Sequence, residues 1–313
     1  MAGQIDLVLN QIVIFAILMA IGFLAAKANV LTRDVLNALS KLIVIILLPA
    51  LIFSIMADSG VTTADFLSNG SFALGVALCY TLLIASAYLM SKLLKLEGKT
   101  ANIYMSLATF GNMGFMGIPL LLGIFTDPVT QVSISIYTVI DMALLWTFGV
   151  YLCSRHRENM DSWGTLKNMI NPTTVALAIG FVVMALQVPV PEVLMSTITG
   201  VGNTSKSLTL IYLGGVLAFI SIGNIAKKPS IFVLTTIKML ALPLIAYFLL
   251  GFFLQDIPRM ILTVIVGLPA MTTIAMIATL YESDVDYATE IIFVTTLASL
   301  ATIPLVFLIT AAL

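Results

Sequence analysis

Asn112 and Asp141 are polar side chains in stretches that are otherwise almost wholly apolar. Asn112 stands in Phe110-Gly111-Asn112-Met113-Gly114-Phe115-Met116-Gly117-Ile118-Pro119-Leu120, within an apolar segment of about 101–124. Its carboxamide can donate to and accept from a ligand, or it can satisfy broken backbone, and both roles stay open. Asp141, between Ile140 and Met142, is an acid deep in a hydrophobic run. Such an acid is costly to bury and is a functional candidate by default, as the carrier of a proton or cation. Its other reading is a neutral acid hydrogen-bonded to a neighbouring helix. Glu290, nearer the end of its segment, divides between coupling and structure. Lys238, in Thr236-Ile237-Lys238-Met239-Leu240-Ala241-Leu242-Pro243, is expected to snorkel toward the cytoplasm, with substrate attraction as its second reading. His156 sits among loop charges and is assigned nothing.

These residue types do not add up to an enzyme. The chain has no membrane-embedded His-Glu-x-x-His, no paired Asp within a Gly-Asp motif and no cysteine–histidine set. Cys79 and Cys153 lie in or beside apolar segments and make neither a disulfide framework nor a metal site. The sixteen methionines are spread through the apolar segments and read as core filler. No cofactor, metal or nucleic-acid partner is expected.

The elements that must position these groups follow from composition. Of 313 residues, 60% are hydrophobic and 9% charged, against about 25% charged in soluble domains. The fold class is therefore an all-α polytopic membrane protein, with the lipid bilayer as its solvent. At about 20 residues per span the length accommodates ten helices, expected at 7–28, 36–57, 70–94, 101–124, 130–153, 172–188, 193–222, 230–254, 258–281 and 286–311. The first third of 193–222 is polar (Thr197, Thr199, Asn203, Thr204, Ser205, Lys206). Either that helix starts late or it enters the membrane against protein. Met1 to Ile5 carries no Lys or Arg, so the first span is expected to be retained rather than cleaved as a signal.

Charge sets the orientation. Lys27, Arg33, Lys92, Lys95, Lys99, Arg155, Arg157, Lys167, Lys227 and Lys228 fall in one set of alternate loops. Asp58, Asp65, Asp127, Glu192 and Asp256 fall in the other, with Arg259 its clear base. The positive-inside rule then puts both termini outside and the linker inside. Glu282, Asp284 and Asp286 fall on the cytoplasmic side against this trend, but acids weigh little in the rule. Five spans on each side of a cytoplasmic linker predict inverted halves: 1–153, a linker at 154–171, and 172–313. A shift of 156 residues lays Gly111 on Gly267, in Gly267-Leu268-Pro269-Ala270-Met271-Thr272-Thr273, and Asn37-Ala38-Leu39-Ser40-Lys41 resembles Asn203-Thr204-Ser205-Lys206.

Three glycines, an asparagine and a proline within nine residues break a helix, since each Gly costs about 1 kcal/mol and Pro about 3 in a helix interior. In hydrocarbon, broken backbone survives where it is buried in protein or lines a wet cavity. Interrupted fourth and ninth spans that cross near midplane bring two helix N-termini together, near Pro119 and Ala270. Each carries a partial positive charge and free N–H groups, which is an anion site. The candidate binding set is Asn112, Met113, Gly114, Phe115, Pro119, Pro269, Ala270, Met271, Thr272 and Thr273, with Asp141 and Glu290 for coupling. The two threonines can instead bond back to their own helix.

The block Asn112-Met113-Gly114-Phe115-Met116-Gly117-Ile118-Pro119 comes after Leu39-Ser40-Lys41-Leu42 and Leu48-Pro49-Ala50-Leu51-Ile52-Phe53. It precedes Pro269-Ala270-Met271-Thr272-Thr273, Glu290-Ile291-Ile292 and Thr302-Ile303-Pro304-Leu305. With these blocks in this order the chain resembles the auxin efflux carrier family over essentially its whole length. The resemblance implies ten transmembrane helices as two inverted five-helix repeats, with crossed, broken fourth and ninth helices in a bile-acid-transporter-like architecture. It also implies a scaffold domain, a transport domain, substrate at the crossover, and a homodimer through the first, second, sixth and seventh spans. The short linker matches bacterial members, which carry small carboxylates such as malate and malonate, rather than the plant carriers with their long insert. The 156 shift aligns Pro269 with Met113, so the two breaks are not identical.

The expected function is a secondary transporter of a small organic anion, a mono- or dicarboxylate, in the cytoplasmic membrane, working by an elevator-like movement. One alternative is a sodium-coupled organic-anion carrier using Asp141, Glu290, Thr138 and Thr295. Another, of a different class, is a membrane sensor that binds its ligand without moving it.

Overall fold

The computed structural model describes residues 2–60, 62–125, 128–156, 171–219 and 225–312. Most of the expected linker, 157–170, lies outside the described residues. Among those described, every regular element is a helix, and the one extended pairing is a single isolated bridge. In chain order the helices are α1 (Ala2–Lys27), α2 (Arg33–Ala57), α3 (Thr63–Ser68), α4 (Gly70–Leu93), α5 (Gly98–Thr109) and α6 (113–124). They continue with α7 (Val129–Ser154), α8 (Pro172–Leu186), α9 (Glu192–Leu217) and α10 (Pro229–Leu250). The last are α11 (Asp256–Val266), α12 (Thr273–Leu280) and α13 (Val285–Ala312). Each expected segment is met by one helix or by an interrupted pair, and the pairs are α5–α6 and α11–α12, the fourth and ninth segments.

The chain is a multi-pass membrane protein. Among the described residues five helices are long and apolar enough to cross a bilayer: α2, α4, α7, α10 and Val285–Thr310 of α13. Val13–Lys27 of α1 is a shorter apolar helix, and the other long elements fall short for visible reasons. α5–α6 and α11–α12 are interrupted, α8 has 15 residues, and α9 has 26 residues but a polar first half. Large apolar side chains such as Ile17, Ile21, Phe181, Val182, Phe248 and Leu308 are exposed, a surface that suits lipid rather than water.

Local chemistry sets the helix boundaries and bends. Asn171 starts α8, its side-chain oxygen accepting from the Thr173 and Thr174 N–H groups at 2.9 and 3.1 Å, with Pro172 in the first turn, where no donor is missed. Wide π-type turns occur at Ile43–Leu47, Met113–Gly117, Leu145–Gly149 and Ile237–Ala241. All but Leu145–Gly149 end two residues before a proline: Pro49, Pro119 and Pro243. Proline lacks an N–H and crowds the carbonyl four residues back, and a local π-turn re-routes the hydrogen bonds around that clash.

The helices pack in two groups. α1 lies on α9, α9 on α2, and α2 on α8, forming a panel. α4, α5, α7, α10, α11, α12 and α13 pack with one another beside it. Within the panel Gly202 allows close approach: a Cβ there would stand 2.5 Å from the Leu51 Cα. At one end of the bundle the basic loops and the anomalous acidic loop meet. The Lys99 ammonium donates to the Glu282 carbonyl at 2.6 Å, Thr100 donates to Asp284 at 2.6 Å, and Lys27 donates to the Ala218 carbonyl at 3.0 Å. The acids of 282–286 therefore share an end with the bases and partly offset them.

Candidate functional site

The two interrupted helices meet at their gaps. Gly111 and Ala270 form an antiparallel bridge. The Asn112 N–H donates to the Pro269 carbonyl at 2.8 Å, and the Met271 N–H donates to the Phe110 carbonyl at 3.2 Å. These bonds supply partners for backbone groups that the break in each helix leaves without one. Gly111 faces Ala270, three residues beyond the Gly267 that the repeat shift gives as its counterpart. The approach favours a glycine, since a Cβ on Gly111 would lie 3.1 Å from the Leu268 Cβ and 3.3 Å from the Ile265 carbonyl oxygen, and these neighbours would have to give way.

The restart points differ from those expected. The first helix resumes at Met113 rather than near Pro119, with Asn112 as its cap. The π-turn explains this: the Gly117 N–H reaches back to the Asn112 carbonyl at 3.0 Å, so Pro119 falls in a turn already formed. The second helix resumes at Thr273 rather than Ala270, because 270 and 271 are held in the extended pairing. The side chains of Phe115 and Pro119 lie outside the described residues.

A cavity of about 150 Å³ opens beside the crossing. Asn112, Gly114, Met271 and Thr273 contribute to its wall from the crossing, Leu51 and Ile55 from α2, Met142 and Trp146 from α7, and Lys206 from α9. Asn112 and Trp146 are each 1% exposed, and the Asn112 Nδ2 and Trp146 Nε1 donors have no partner. A buried donor without an acceptor costs about 1–3 kcal/mol, so this wall suits a ligand rich in acceptors. Nothing stands within 4 Å of the place a Gly114 Cβ would take, which leaves that backbone approachable. Pro269 and Ala270 serve the pairing instead, and the Ala270 N–H donates to the Thr295 hydroxyl at 3.1 Å. Thr272 is fully buried with an unpartnered hydroxyl and is not among the cavity's wall residues. Met113 is buried in the core.

A larger cavity of about 420 Å³ adjoins the first, sharing Leu51, Ile55, Ile118 and Lys206 with it. Asp58, Gln131, Ser135, Thr199 and Asn203 also line it. The polar start of α9 is helical from Glu192 and borders this cavity through Thr199, Asn203 and Lys206, with Ser205 buried and Thr197, Asn203, Thr204 and Lys206 exposed.

Behind the crossing lies a buried polar cluster. The Tyr80 hydroxyl donates to Asp141 Oδ1 and lies 3.0 Å from the Tyr137 hydroxyl. The Tyr80 ring also meets that of Phe110, with centroids 6.1 Å apart, tying the cluster to the break. Asp141 Oδ2 is unpartnered. Lys238 does not snorkel. It is 1% exposed, its ammonium donates to the Ala108 carbonyl at 2.9 Å, and it interacts electrostatically with Asp141. The reason is local: α5 ends beside it with free carbonyls and a partial negative charge that attract a cation. Glu290 stands apart from the crossing, paired with Lys228 at 2.5 Å. Of the groups a sodium site would draw on, Thr138 and Thr295 spend their hydroxyl protons on their own helices.

Lys206, Trp146, Tyr80 and Tyr137 belong to these sites and were not singled out from sequence. Signals existed. Thr199, Asn203 and Lys206 recur at four and three residues, one polar face on a membrane helix, and Tyr137 lies one turn before Asp141.

Comparison with known proteins agrees with this architecture. A family model described as membrane transport protein matches residues 7–165 and 159–307. An uncharacterized transporter of Methanocaldococcus jannaschii is 23% identical over 308 residues, covering 95% of this chain and 97% of that protein. The lysosomal cholesterol signaling protein of Mus musculus is 24% identical over 249 residues, which are 72% of this chain but 27% of that longer protein. With residues 7–307 matched and its broken-helix motif in place, the chain belongs to the membrane transport protein family, that of the auxin efflux carriers.

Proposed function

We propose that this transporter carries a small organic anion, a mono- or dicarboxylate such as malate or malonate, across the cytoplasmic membrane by alternating access. The observation that carries the reading is the pair of unpartnered, buried donors on Asn112 and Trp146, two wall residues of the cavity where two interrupted helices cross. A carboxylate offers the acceptors they lack, and the start of α6 adds its helix N-terminus. Asn112, Gly114, Met271 and Thr273 hold the carboxylate in this reading, and Asp141 binds the proton that travels with it.

Ten spans in two inverted five-helix repeats, 1–153 and 172–313, fit the reciprocal hydrogen bonds at the crossing, where each break donates to the other. The panel of α1, α2, α8 and α9 is the scaffold, and the remaining helices move past it as an elevator. Support comes from the unequal ends. The larger cavity lies toward the Asp58 and Gln131 end, away from the basic loops. Toward the basic end, Ser40 donates to the Met276 carbonyl at 3.4 Å and Tyr212 bonds Thr279, joining panel to α12. With the basic loops cytoplasmic, both termini are extracellular and this state opens outward.

Counterflow by purified protein in liposomes tests the reading. Liposomes loaded with unlabelled malate or malonate accumulate the labelled acid, and Asn112→Ala abolishes accumulation while leaving membrane expression intact. Wild-type transport by that variant removes Asn112 from the site. Ligand binding without counterflow makes the chain a sensor instead.

A further inference from the structure

We infer that Lys206 is a specificity-determining residue that reads a second negative charge on the substrate, so that the site selects dianions over monoanions. This rests on the carboxylate reading of the crossing and extends it to the far wall of the same cavity. Among the described residues Lys206 is the one charged side chain lining the inner cavity, and it also lines the outer one. Its ammonium makes no hydrogen bond or ion pair with any described residue. The Asp58 carboxylate borders the outer cavity alone and does not neutralise Lys206 within ion-pair distance.

The backbone explains how a lysine comes to stand here. Gly202 lies one helical turn before Lys206 and so on the same face of α9. Its missing side chain lets α9 press against the Ala50–Leu51 backbone, bringing Lys206 to the wall that Leu51 also lines. The inner cavity then has two poles. Asn112 and the start of α6 belong to the wall at the crossing, and Lys206, an exposed residue of α9, belongs to the wall shared with the outer cavity. A monocarboxylate leaves the second pole unanswered, whereas a short dicarboxylate answers both within about 150 Å³. Charge-assisted hydrogen bonds are the stronger kind, so the second carboxylate outweighs a neutral group of the same shape.

The probes are malonate and succinate, each compared with its own monoamide, which keeps size and shape but replaces one carboxylate by a neutral amide. Dissociation constants come from thermal stabilisation of the purified full chain. In the wild type each diacid binds at least tenfold more tightly than its monoamide. Lys206→Gln removes the charge without orphaning a partner, and it collapses that ratio tenfold or more. Lys206→Arg, with the charge kept, holds the ratio within about threefold of wild type and controls for damage to folding. Equal weakening of diacid and monoamide in Lys206→Gln overturns the inference, because the lysine then only attracts anions in general. A wild type without preference for the diacid overturns it as well, while leaving the carboxylate site standing. A wild type that responds to none of the four acids sinks the carboxylate reading and this inference together.

Discussion

Where the first interrupted helix opens, at Phe110 to Asn112, it leaves an amide donor at a cavity and a helix end capped by a buried lysine. Where the second opens, from Gly267 to Thr272, it ties its backbone to a neighbouring helix through Ala270 and Thr295. The backbones are near twins, each donating one N–H to the other's carbonyl. The side chains are not. The first break carries Asn112 and draws in Lys238, and the second carries apolar Leu268, Pro269, Ala270 and Met271 with a single hydroxyl on Thr272. A repeated backbone thus supplies the crossing, and unequal side chains give it a ligand-facing half and an anchoring half.

The largest effect that tests this division is expected at Lys238. Lys238→Met strips the Ala108 carbonyl of its charged donor and removes a cation that acts on Asp141 without pairing with it. Losing a charge-assisted hydrogen bond and leaving its buried acceptor unmet costs about 3 kcal/mol, and thermal unfolding in detergent should register a loss of that order. Adding Asp141→Asn should recover the part of it that comes from the acid, since that group is then neutral. A double variant no more stable than Lys238→Met alone would show that the two residues do not compensate each other.

On the anchoring side the effect is smaller. Thr295→Val leaves the Ala270 N–H without an acceptor, at about 1–3 kcal/mol for a buried donor, and Thr295→Ser restores it. Equal stability of the Val and Ser variants would mean that the second break is not held in this way. Gly111→Ala tests the contact between the halves. Its Cβ meets Leu268 at 3.1 Å, and the expected cost is about 1 kcal/mol of overpacking, read from the same unfolding curves.

The breaks themselves were legible because Gly111, Gly114, Gly117 and Pro119 crowd one stretch, and helix costs summed over such a window are informative even though tertiary context can override a single one. Their restart points were less so. Pro119 reads as a breaker, yet a π-turn ahead of it absorbs the conflict, and which turn widens depends on packing. The ligand-facing residues divided the same way. Asn112 was conspicuous as an amide within a broken helix, whereas Lys206 looked like one polar residue among several near a helix start. Its importance depends on which face of α9 meets the cavity, and a close approach at Gly202 decides that. Lys238 was misread for a related reason: the carbonyls that hold it belong to α5, 130 residues earlier in the chain.

The smallest expected effect is at Thr272, and it bears on whether the second break offers the ligand a hydrogen-bonding side chain in addition to the apolar Met271 of the cavity wall. Thr272 caps α12, but its side chain makes no capping bond, and its buried hydroxyl has no partner. Replacing it with Val keeps the branched shape and removes a polar group that gains nothing from its burial. Stability should therefore stay level or rise by up to about 1 kcal/mol, and counterflow should hold within about twofold of wild type. Asn112→Ala, one break away, abolishes counterflow under the same reading. A Thr272→Val protein that folds normally but no longer transports would give both breaks a hydrogen-bonding side chain on the ligand, and the division between a ligand-facing and an anchoring half would fall.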